Sequence, residues 1–239
     1  MSLPVSEHSK LLLITGVGPG TGSAIVRHFA AKGYRVAMMA RNETRLQQLV
    51  ETIPGTASFP CDVSDLAQLR NQFALIERDH GYPDVLIHNA VGGAFGSFME
   101  IDPALLQQNF QVNTMALLHL ARWVAPAMIE RGTGAILATG NTSAYRGKEG
   151  FAGFAPTKAA QRILLESMAR SLGPQGIHVA YCAIDAVIDL PWTRRRYADK
   201  PTEFFCQPED IANECYRLVS QPRSAWSFES VIRPYGEQW

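Results

Sequence analysis

The chain has 239 residues, of which 46% are hydrophobic and 18% are charged, and this is typical of one globular domain with a sizeable core. Its 22 Lys and Arg residues balance 22 Asp and Glu residues, so charge gives no reason to expect a nucleic acid or an anionic membrane as partner. The four cysteines lack C-x-x-C pairing and the six histidines lack metal-ligand spacing. We therefore expect free thiols, a cytoplasmic location and no metal site. The longest apolar runs have the length of strands, which predicts no membrane span.

Short apolar runs alternate with longer helical patterns along the chain. The runs predict strands at about 11–14, 36–39, 57–59, 85–87, 135–138, 178–182 and 231–232. The helical patterns lie at about 22–32, 42–50, 64–79, 103–130, 151–172 and 208–220. Pro126 is expected to interrupt the fourth of these helices. The alternation predicts an α/β fold, a single Rossmann-like doubly wound parallel sheet of about seven strands with helices on both faces. We expect 1–239 to form a single domain, with a flexible N-terminus at 1–9.

One irregular stretch, 185–207, is rich in Pro, Trp, Tyr and Arg. A loop of this length in a compact domain is usually functional or mobile. Because it follows the end of a predicted strand, we interpret it as a substrate loop.

A glycine-rich turn, Thr15-Gly16-Val17-Gly18-Pro19-Gly20-Thr21-Gly22, follows the first predicted strand and opens the first helix. Glycines permit a tight turn and let the backbone approach a pyrophosphate, while the helix N-terminus offers free N–H groups and a partial positive charge. Gly16, Gly20 and Gly22 match the Thr-Gly-x-x-x-Gly-x-Gly pattern, and the chain resembles the short-chain dehydrogenase/reductase family. The resemblance implies a dinucleotide cofactor at this turn, including Thr15 and Thr21.

The residues at the end of the second predicted strand indicate whether the cofactor is NAD(H) or NADP(H). An acidic residue there would bind the ribose hydroxyls of NAD, but this chain has Ala40-Arg41-Asn42. Arg41 would pair with a 2′-phosphate, so NADP(H) is favoured over NAD(H). The alternative for Arg41 is a solvated arginine at the start of a helix.

Two further segments resemble the family on the adenosine side of the cofactor. Asp62 and Val63 resemble the pair that follows the third strand, where the aspartate contacts the adenine. Asn89 and Ala90 match part of the Asn-Asn-Ala-Gly motif after the fourth strand, with His88 in place of its first Asn. The alternative for Asp62 is a cap of the next helix.

The positions that carry the chemistry of the family are only partly matched. The resemblance implies that Asn113 holds a water in a proton relay to the lysine, and that Lys158 binds the nicotinamide ribose. The alternative for Asn113 is a buried amide that bends its helix. Phe154 stands four residues before Lys158, where the family has the tyrosine that moves the substrate proton. A phenylalanine ring has no titratable group and cannot carry that proton.

The serine of the family lies thirteen residues before the tyrosine, and here that position is Asn141. Thr142 or Ser143, shifted by one or two positions, is the alternative hydroxyl. The Asn141 amide can donate a hydrogen bond to a carbonyl but relays a proton poorly.

The Pro-Gly that follows the sixth strand in the family is replaced by a segment beginning at Asp185. The resemblance puts Val187 or Ile188 near the nicotinamide carboxamide. Asp185 is expected to orient that amide or to act as a base, and its alternative is a loop or cap aspartate.

Three functions fit these departures. The first is a divergent NADP(H)-dependent oxidoreductase that transfers hydride to or from a small carbonyl or related substrate without the usual tyrosine. Its candidate proton donors are Tyr145, Ser143, Thr142 and Tyr181. The second is an NADP(H)-binding regulatory or partner subunit without redox turnover. The third is a non-redox lyase or isomerase that uses the same crevice, with candidate bases Asp185, His88 and Glu149.

The expected partners are a small-molecule substrate and further copies of the chain. Family members commonly pair through the helices that bear the Asn and the Lys, so the resemblance implies a homodimer or homotetramer.

Overall fold

The computed structural model describes residues 9–237, so all but one residue of the predicted flexible segment 1–9 lies outside the described residues. The strands are β1 (Leu11–Thr15), β2 (Arg35–Ala40), β3 (Thr56–Pro60), β4 (Val85–His88), β5 (Gly134–Gly140), β6 (Ile177–Ile184), β7 (Val187–Ile188), β8 (Phe205–Cys206) and β9 (Glu229–Ile232). The α-helices are α1 (Thr21–Ala31), α2 (Glu43–Thr52), α3 (Leu66–His80), α4 (Pro103–Phe110), α5 (Ala116–Arg131), α6 (Ala155–Leu172), α7 (Pro191–Arg196) and α8 (Pro208–Val219).

Seven strands form one parallel sheet in the order β3-β2-β1-β4-β5-β6-β9. The strand order reverses between β1 and β4, and such a switch point opens a crevice at the carboxyl ends of the strands. The predicted doubly wound parallel sheet is confirmed. β7 and β8 pair separately as a short parallel ribbon.

The sheet divides the core into two layers. Leu11 and Leu13 of β1 face the layer that contains α3, α5 and α6, while Leu12 and Ile14 face the layer that contains α1, α2 and α8. This alternation follows from the period of two residues in a strand. Helices therefore cover both faces, and parallel strands buried in this way read as continuous apolar runs in the sequence.

The predicted break of the fourth helix at Pro126 is wrong. Pro126 lies inside α5, on its exposed side, and the helix continues through it to Arg131. The change in helical bonding lies instead at Gln111–Met115, a π-helical turn between α4 and α5. Such turns are frequent at functional sites, and this one contains Asn113.

The segment 185–207 is more ordered than the sequence predicts, since it contains β7, α7 and β8. Asp189 accepts two hydrogen bonds of 2.6 Å from the Arg194 guanidinium and one of 2.8 Å from Gln207. The Arg194 guanidinium also lies 4.1 Å from the centre of the Phe205 ring. These contacts explain why a stretch without sequence periodicity adopts a defined conformation.

Candidate active site

The glycine turn packs tightly against the segment after β4. Gly16 has a φ of +75°, and a Cβ on it would lie 2.4 Å from the backbone nitrogen of Ala90. A Cβ on Gly22 would lie 2.5 Å from the Gly16 carbonyl oxygen. Glycine is required at both positions, and the turn brings the N-terminus of α1 to the carboxyl edge of the sheet.

A crevice of about 590 Å³ opens beside the glycine turn. Its walls come from the turn itself and from the segments that follow β2, β3 and β4. The predicted cofactor residues that line it are Gly16, Gly20, Thr21, Gly22, Arg41, Asp62, Val63, Asn89, Ala90 and Ile188. Four others, Thr15, Lys158, Asp185 and Val187, are not among its lining residues. A glycine turn at a helix N-terminus inside such a crevice fits the phosphates of a dinucleotide.

Two arginines lie at the end of the crevice formed by β2 and α2. Arg41 is exposed and Arg45 is half-buried, and both line the crevice. Asn42 lies between them and caps α2, since its side-chain oxygen accepts the Arg45 N–H at 2.8 Å. Two guanidinium groups in one wall fit a phosphate, which arginine binds through paired donors.

Asp62 is not a helix cap, because Asp65 performs that role for α3 with bonds of 2.8 and 3.1 Å from the Ala67 and Gln68 N–H groups. One carboxylate oxygen of Asp62 accepts the Ser64 N–H at 3.0 Å and the Ser64 hydroxyl at 2.7 Å. The Asp62 carboxylate is thereby held in the wall of the crevice.

Asn89 connects three strand ends. Its Nδ2 donates to the Gly16 carbonyl at 2.8 Å, and its Oδ1 accepts the Thr139 hydroxyl at 2.8 Å. The side chain therefore fixes the glycine turn relative to β5.

His88 is fully buried, and both of its ring nitrogens are hydrogen-bonded. A carbonyl oxygen only accepts, so His88 Nε2–H donates to the Val112 carbonyl at 3.0 Å and Nδ1 accepts the Thr15 hydroxyl at 2.9 Å. Burial, and secondarily the Lys158 charge, lowers the pKa of His88 to about 3. His88 is a neutral structural link, so the expectation that it acts as a base is wrong.

Lys158 is 2% exposed, and its side chain contacts the end of β5. Its ammonium donates to the Thr139 carbonyl at 3.2 Å and to Gln161 Oε1 at 2.8 Å. Burial lowers the pKa of Lys158 to about 7. Two of the three ammonium donors are used in these bonds, which leaves one for a bound hydroxyl.

Asn113 is a buried amide in the π-helical turn. Its side chain bonds the Gly92 backbone in both directions at 2.9 Å and donates to Thr157 Oγ1 at 2.8 Å. Asn113 thus ties the segment after β4 to the first turn of α6.

Phe154 immediately precedes α6, which starts at Ala155 and not at 151 as the sequence pattern predicts. The Phe154 ring is 5% exposed and lies 5.3 Å from the Phe95 ring centre and 6.3 Å from that of Phe151. The three rings form an aromatic cluster that puts no titratable group at position 154, and the Lys148 ammonium lies 5.8 Å from the centre of the Phe151 ring.

Most polar groups of the segment after β5 are hydrogen-bonded to other groups of the protein. Asn141 Oδ1 accepts the Ser143 N–H at 3.1 Å, and the Asn141 backbone bonds the Tyr181 hydroxyl. Thr142 donates its hydroxyl to Asp185. Burial raises the pKa of Tyr181, which is fully buried. Thr142 and Tyr181 are therefore poor proton donors to a substrate.

Asp185 is held among cations. It forms ion pairs with Arg146 at 3.7 Å and Arg233 at 3.3 Å, in addition to the bond from Thr142. The carboxylate joins the ends of β5, β6 and β9, so the sequence expectation of a loop or cap aspartate fits better than a free base. Val187 lies in the β7–β8 ribbon opposite Phe205.

A second cavity of about 730 Å³ lies between the segment after β5 and the start of α6. Ser143, Tyr145 and Glu149 line it, together with the exposed apolar side chains of Phe98 and Met99. Tyr145 is 44% exposed.

The Tyr145 ring is held against a fixed cation. The Arg162 guanidinium lies 5.2 Å from its centre and is itself paired with Glu229 at 2.8 Å. This is a cation–π arrangement in which the arginine cannot easily move away.

Within 9–237, no group of three or more His, Cys, Asp and Glu side chains is arranged to hold a metal ion. The four cysteines are buried and free. No helix of the same range is long and apolar enough to cross a membrane.

A family model described as short chain dehydrogenase matches residues 10–194, which is most of the chain. The chain belongs to the short-chain dehydrogenase family. This family of oxidoreductases binds NAD(P)(H), so the sequence resemblance is confirmed at the level of the family and its cofactor class.

Curated relatives align with this short-chain dehydrogenase along nearly its whole length. Human L-xylulose reductase is 30% identical over 238 residues, covering 95% of this chain and 96% of the relative. The 7alpha-hydroxysteroid dehydrogenase of Escherichia coli K12 is 29% identical over 239 residues, covering 95% and 93%.

Two solved structures agree with the fold. A 7α-hydroxysteroid dehydrogenase complexed with NADH and 7-oxo glycochenodeoxycholic acid has a TM-score of 0.85 at 26% identity, covering 96% of this chain and 95% of that one. A metagenomic short-chain oxidoreductase in complex with NADP has a TM-score of 0.81 at 26% identity, covering 96% and 99%.

Sequence reasoning missed three residues of this short-chain dehydrogenase site. Arg45 lies four residues after Arg41, and Gln161 lies three residues after Lys158, so helical spacing was a usable signal for both. Leu190 lines the crevice from the segment 185–207, and no pattern in the sequence marks it.

Proposed function

We propose that this short-chain dehydrogenase is an NADP(H)-dependent oxidoreductase that acts on a small carbonyl or related substrate without the usual tyrosine. The observation that carries the proposal is the crevice of about 590 Å³, which combines the glycine turn with Arg41 and Arg45. The glycine turn suits the pyrophosphate, and the two arginines suit a 2′-phosphate. The bound cofactor would supply or accept the hydride.

Lys158 would hold the nicotinamide ribose through the ammonium donor that its bonds to Thr139 and Gln161 leave over. Asn89 and Asn113 would act indirectly, because their side chains bond the chain itself and fix the segments that form the crevice.

Tyr145 and Ser143 are the hydroxyl groups best suited to polarise the substrate. Both line the second cavity, which has about 730 Å³ for a substrate. The other two candidate hydroxyls are occupied, since Thr142 donates to Asp185 and Tyr181 bonds the Asn141 backbone. We assign the donor role to Tyr145, whose ring position is fixed by Arg162.

The second candidate is an NADP(H)-binding subunit without redox turnover. It is favoured by Phe154, which stands four residues before Lys158 and is buried against Phe95 and Phe151. A non-redox lyase or isomerase has less support, because both ring nitrogens of His88 are bonded and Asp185 is held by two arginines.

We also propose a homodimer or homotetramer of this one domain. The proposal extends the family resemblance to α6, the helix that bears Lys158, where the Ile163 side chain is 58% exposed and would be available for contact with another copy.

The test is an NADPH turnover assay. The purified chain is incubated with NADPH and a panel of aldehydes, ketones, imines and enones, and the loss of absorbance is followed. NADPH binding is measured in parallel by calorimetry. Turnover of any panel member supports the oxidoreductase, tight binding without turnover supports the second candidate, and absence of NADPH binding refutes both.

A further inference from the structure

The Gln161 side chain fills a buried gap between Lys158 and Asn113. Gln161 Oε1 accepts from the Lys158 ammonium at 2.8 Å, and Gln161 Nε2 donates to the Asn113 backbone carbonyl at 2.7 Å. The exposed fractions of Gln161 and Asn113 are 0%, and that of Lys158 is 2%. One carboxamide therefore spans the whole distance between the two groups, away from bulk solvent.

The π-helical turn makes this connection possible. In an α-helix a carbonyl accepts from the N–H four residues later, whereas the turn at Gln111–Met115 is bonded in the wider π pattern. The Asn113 carbonyl accepts the side chain of α6 in this widened turn. Thr157, one turn earlier on α6, bonds the same turn through Asn113 Nδ2 and through the Thr114 hydroxyl.

A carboxamide and a water molecule differ in their ability to transfer a proton. A water donates and accepts at one atom, so it can take up a proton on one side while releasing one on the other. A carboxamide donates only at its nitrogen and accepts only at its oxygen. Transfer of a proton through it would require an imidic acid form, which is a high-energy tautomer. The link from Lys158 to Asn113 therefore holds the ammonium without carrying protons.

We propose that Gln161 is a positioning residue that occupies the place of a relay water, so that Lys158 serves as a ribose anchor insulated from solvent. The part of this inference that concerns the ribose rests on the proposed NADP(H) function. The part that concerns Gln161 and solvent rests on the contacts of the chain itself. The arrangement also suits the loss of the tyrosine at Phe154, because a site without that acid needs no proton supply from behind Lys158.

The test measures proton exchange at Lys158 directly. Protein labelled with ¹⁵N-lysine is studied by NMR at pH 6, where the Lys158 ammonium is charged, and its signal is assigned from the spectrum of the Lys158→Arg variant. Gln161→Ala leaves room for a water beside the ammonium, whereas Gln161→Leu fills the space with an apolar group. Gln161→Ser and Gln161→Met serve as the second small and the second filling variant if either first choice does not fold.

We expect exchange at Lys158 to be slow in the native protein, faster by about tenfold or more in the small variant and close to native in the filling variant, because exchange follows solvent access. A crystal structure of the small variant should contain an ordered water bonded to Lys158 Nζ and the Asn113 carbonyl. Equal exchange in the native and small variants, or fast exchange in the filling variant, would overturn the proposal. NADPH calorimetry on the native protein distinguishes failure of the Gln161 proposal from failure of the proposed function. Absence of NADPH binding would refute the proposed function and leave the exchange result intact.

Discussion

Leu190 packs directly over Gly20. A Cβ on Gly20 would lie 2.3 Å from the Leu190 Cδ2 atom, so the side chain covers the middle of the glycine turn. Leu190 belongs to the segment that the pairing of Arg194 with Asp189 holds in place. A pyrophosphate seated on the turn would contact Leu190, and we expect this leucine to change rotamer when NADP(H) binds.

Gly16 and Gly20 of the glycine turn should respond differently to alanine. Gly16→Ala puts a Cβ against the backbone of Ala90 at a φ of +75°, so we expect it to lower the free energy of unfolding by about 2 kcal/mol or more. Gly20→Ala meets only the end of the Leu190 side chain, which can rotate, so the cost should stay below about 1 kcal/mol. Urea unfolding of both variants measures the difference. Equal losses of stability would contradict this account of the turn.

Arg41 and Arg45 should determine the preference for NADPH. Each charge-assisted contact to a 2′-phosphate is worth about 1.5–3 kcal/mol, so Arg41→Ala and Arg45→Ala should each weaken NADPH binding by about tenfold or more and leave NADH binding nearly unchanged. Calorimetry with both nucleotides measures this. Arg78→Ala is the matched control, because Arg78 is an exposed arginine of α3 paired with Asp79. Native binding of NADH tighter than NADPH would refute the assignment.

The inner strands of the sheet were predictable because they are buried on both faces and appear as apolar runs bounded by glycines and polar residues, whereas the edge strands β3 and β9 are only partly buried and give a weaker signal. The π-helical turn at 111–115 was not, since its sequence Gln-Val-Asn-Thr-Met carries no signal of wider bonding. Pro126 misled the prediction, because α5 continues through this proline on the exposed side of the helix.

The candidate site was predictable where backbone geometry demands a residue type, as at Gly16 and Gly22. It was less predictable where a side chain has several possible partners. The sequence named Asp185 and Thr142 as separate candidates, but their pairing with each other depends on how the ends of β5 and β6 meet in the sheet. Motif matching also identifies Lys158 as a site residue, but it does not predict that the Gln161 side-chain amide accepts a hydrogen bond from the Lys158 ammonium.

Lys158 should make stability depend on pH above neutrality. Its pKa is about 7 in the folded chain because of burial, against 10.5 for an ordinary lysine. Between these values the unfolded chain binds more protons, so the free energy of unfolding rises with pH across this window. The burial penalty on the charge is fully present below about pH 7.

Lys158→Met removes this penalty. The variant should show a flatter profile from about pH 7 to 10, with the native slope reaching at most about 1.4 kcal/mol per pH unit. Urea unfolding at several pH values gives the profile, and Lys200→Met at an exposed position is the control. Parallel profiles for native and Lys158→Met proteins would exclude a depressed lysine pKa.

Tyr145 should carry the proton in any reduction that the chain performs. General acid assistance is worth about 10²–10⁴-fold, so Tyr145→Phe should lower kcat by about that factor while the KM for NADPH stays unchanged. The ring still stacks on Arg162 in this variant, so the loss reports on the hydroxyl alone. Tyr235→Phe, at a side chain that is 89% exposed, is the matched control. Full activity in Tyr145→Phe, with loss in Ser143→Ala, would transfer the role to Ser143, whose hydroxyl lines the same cavity.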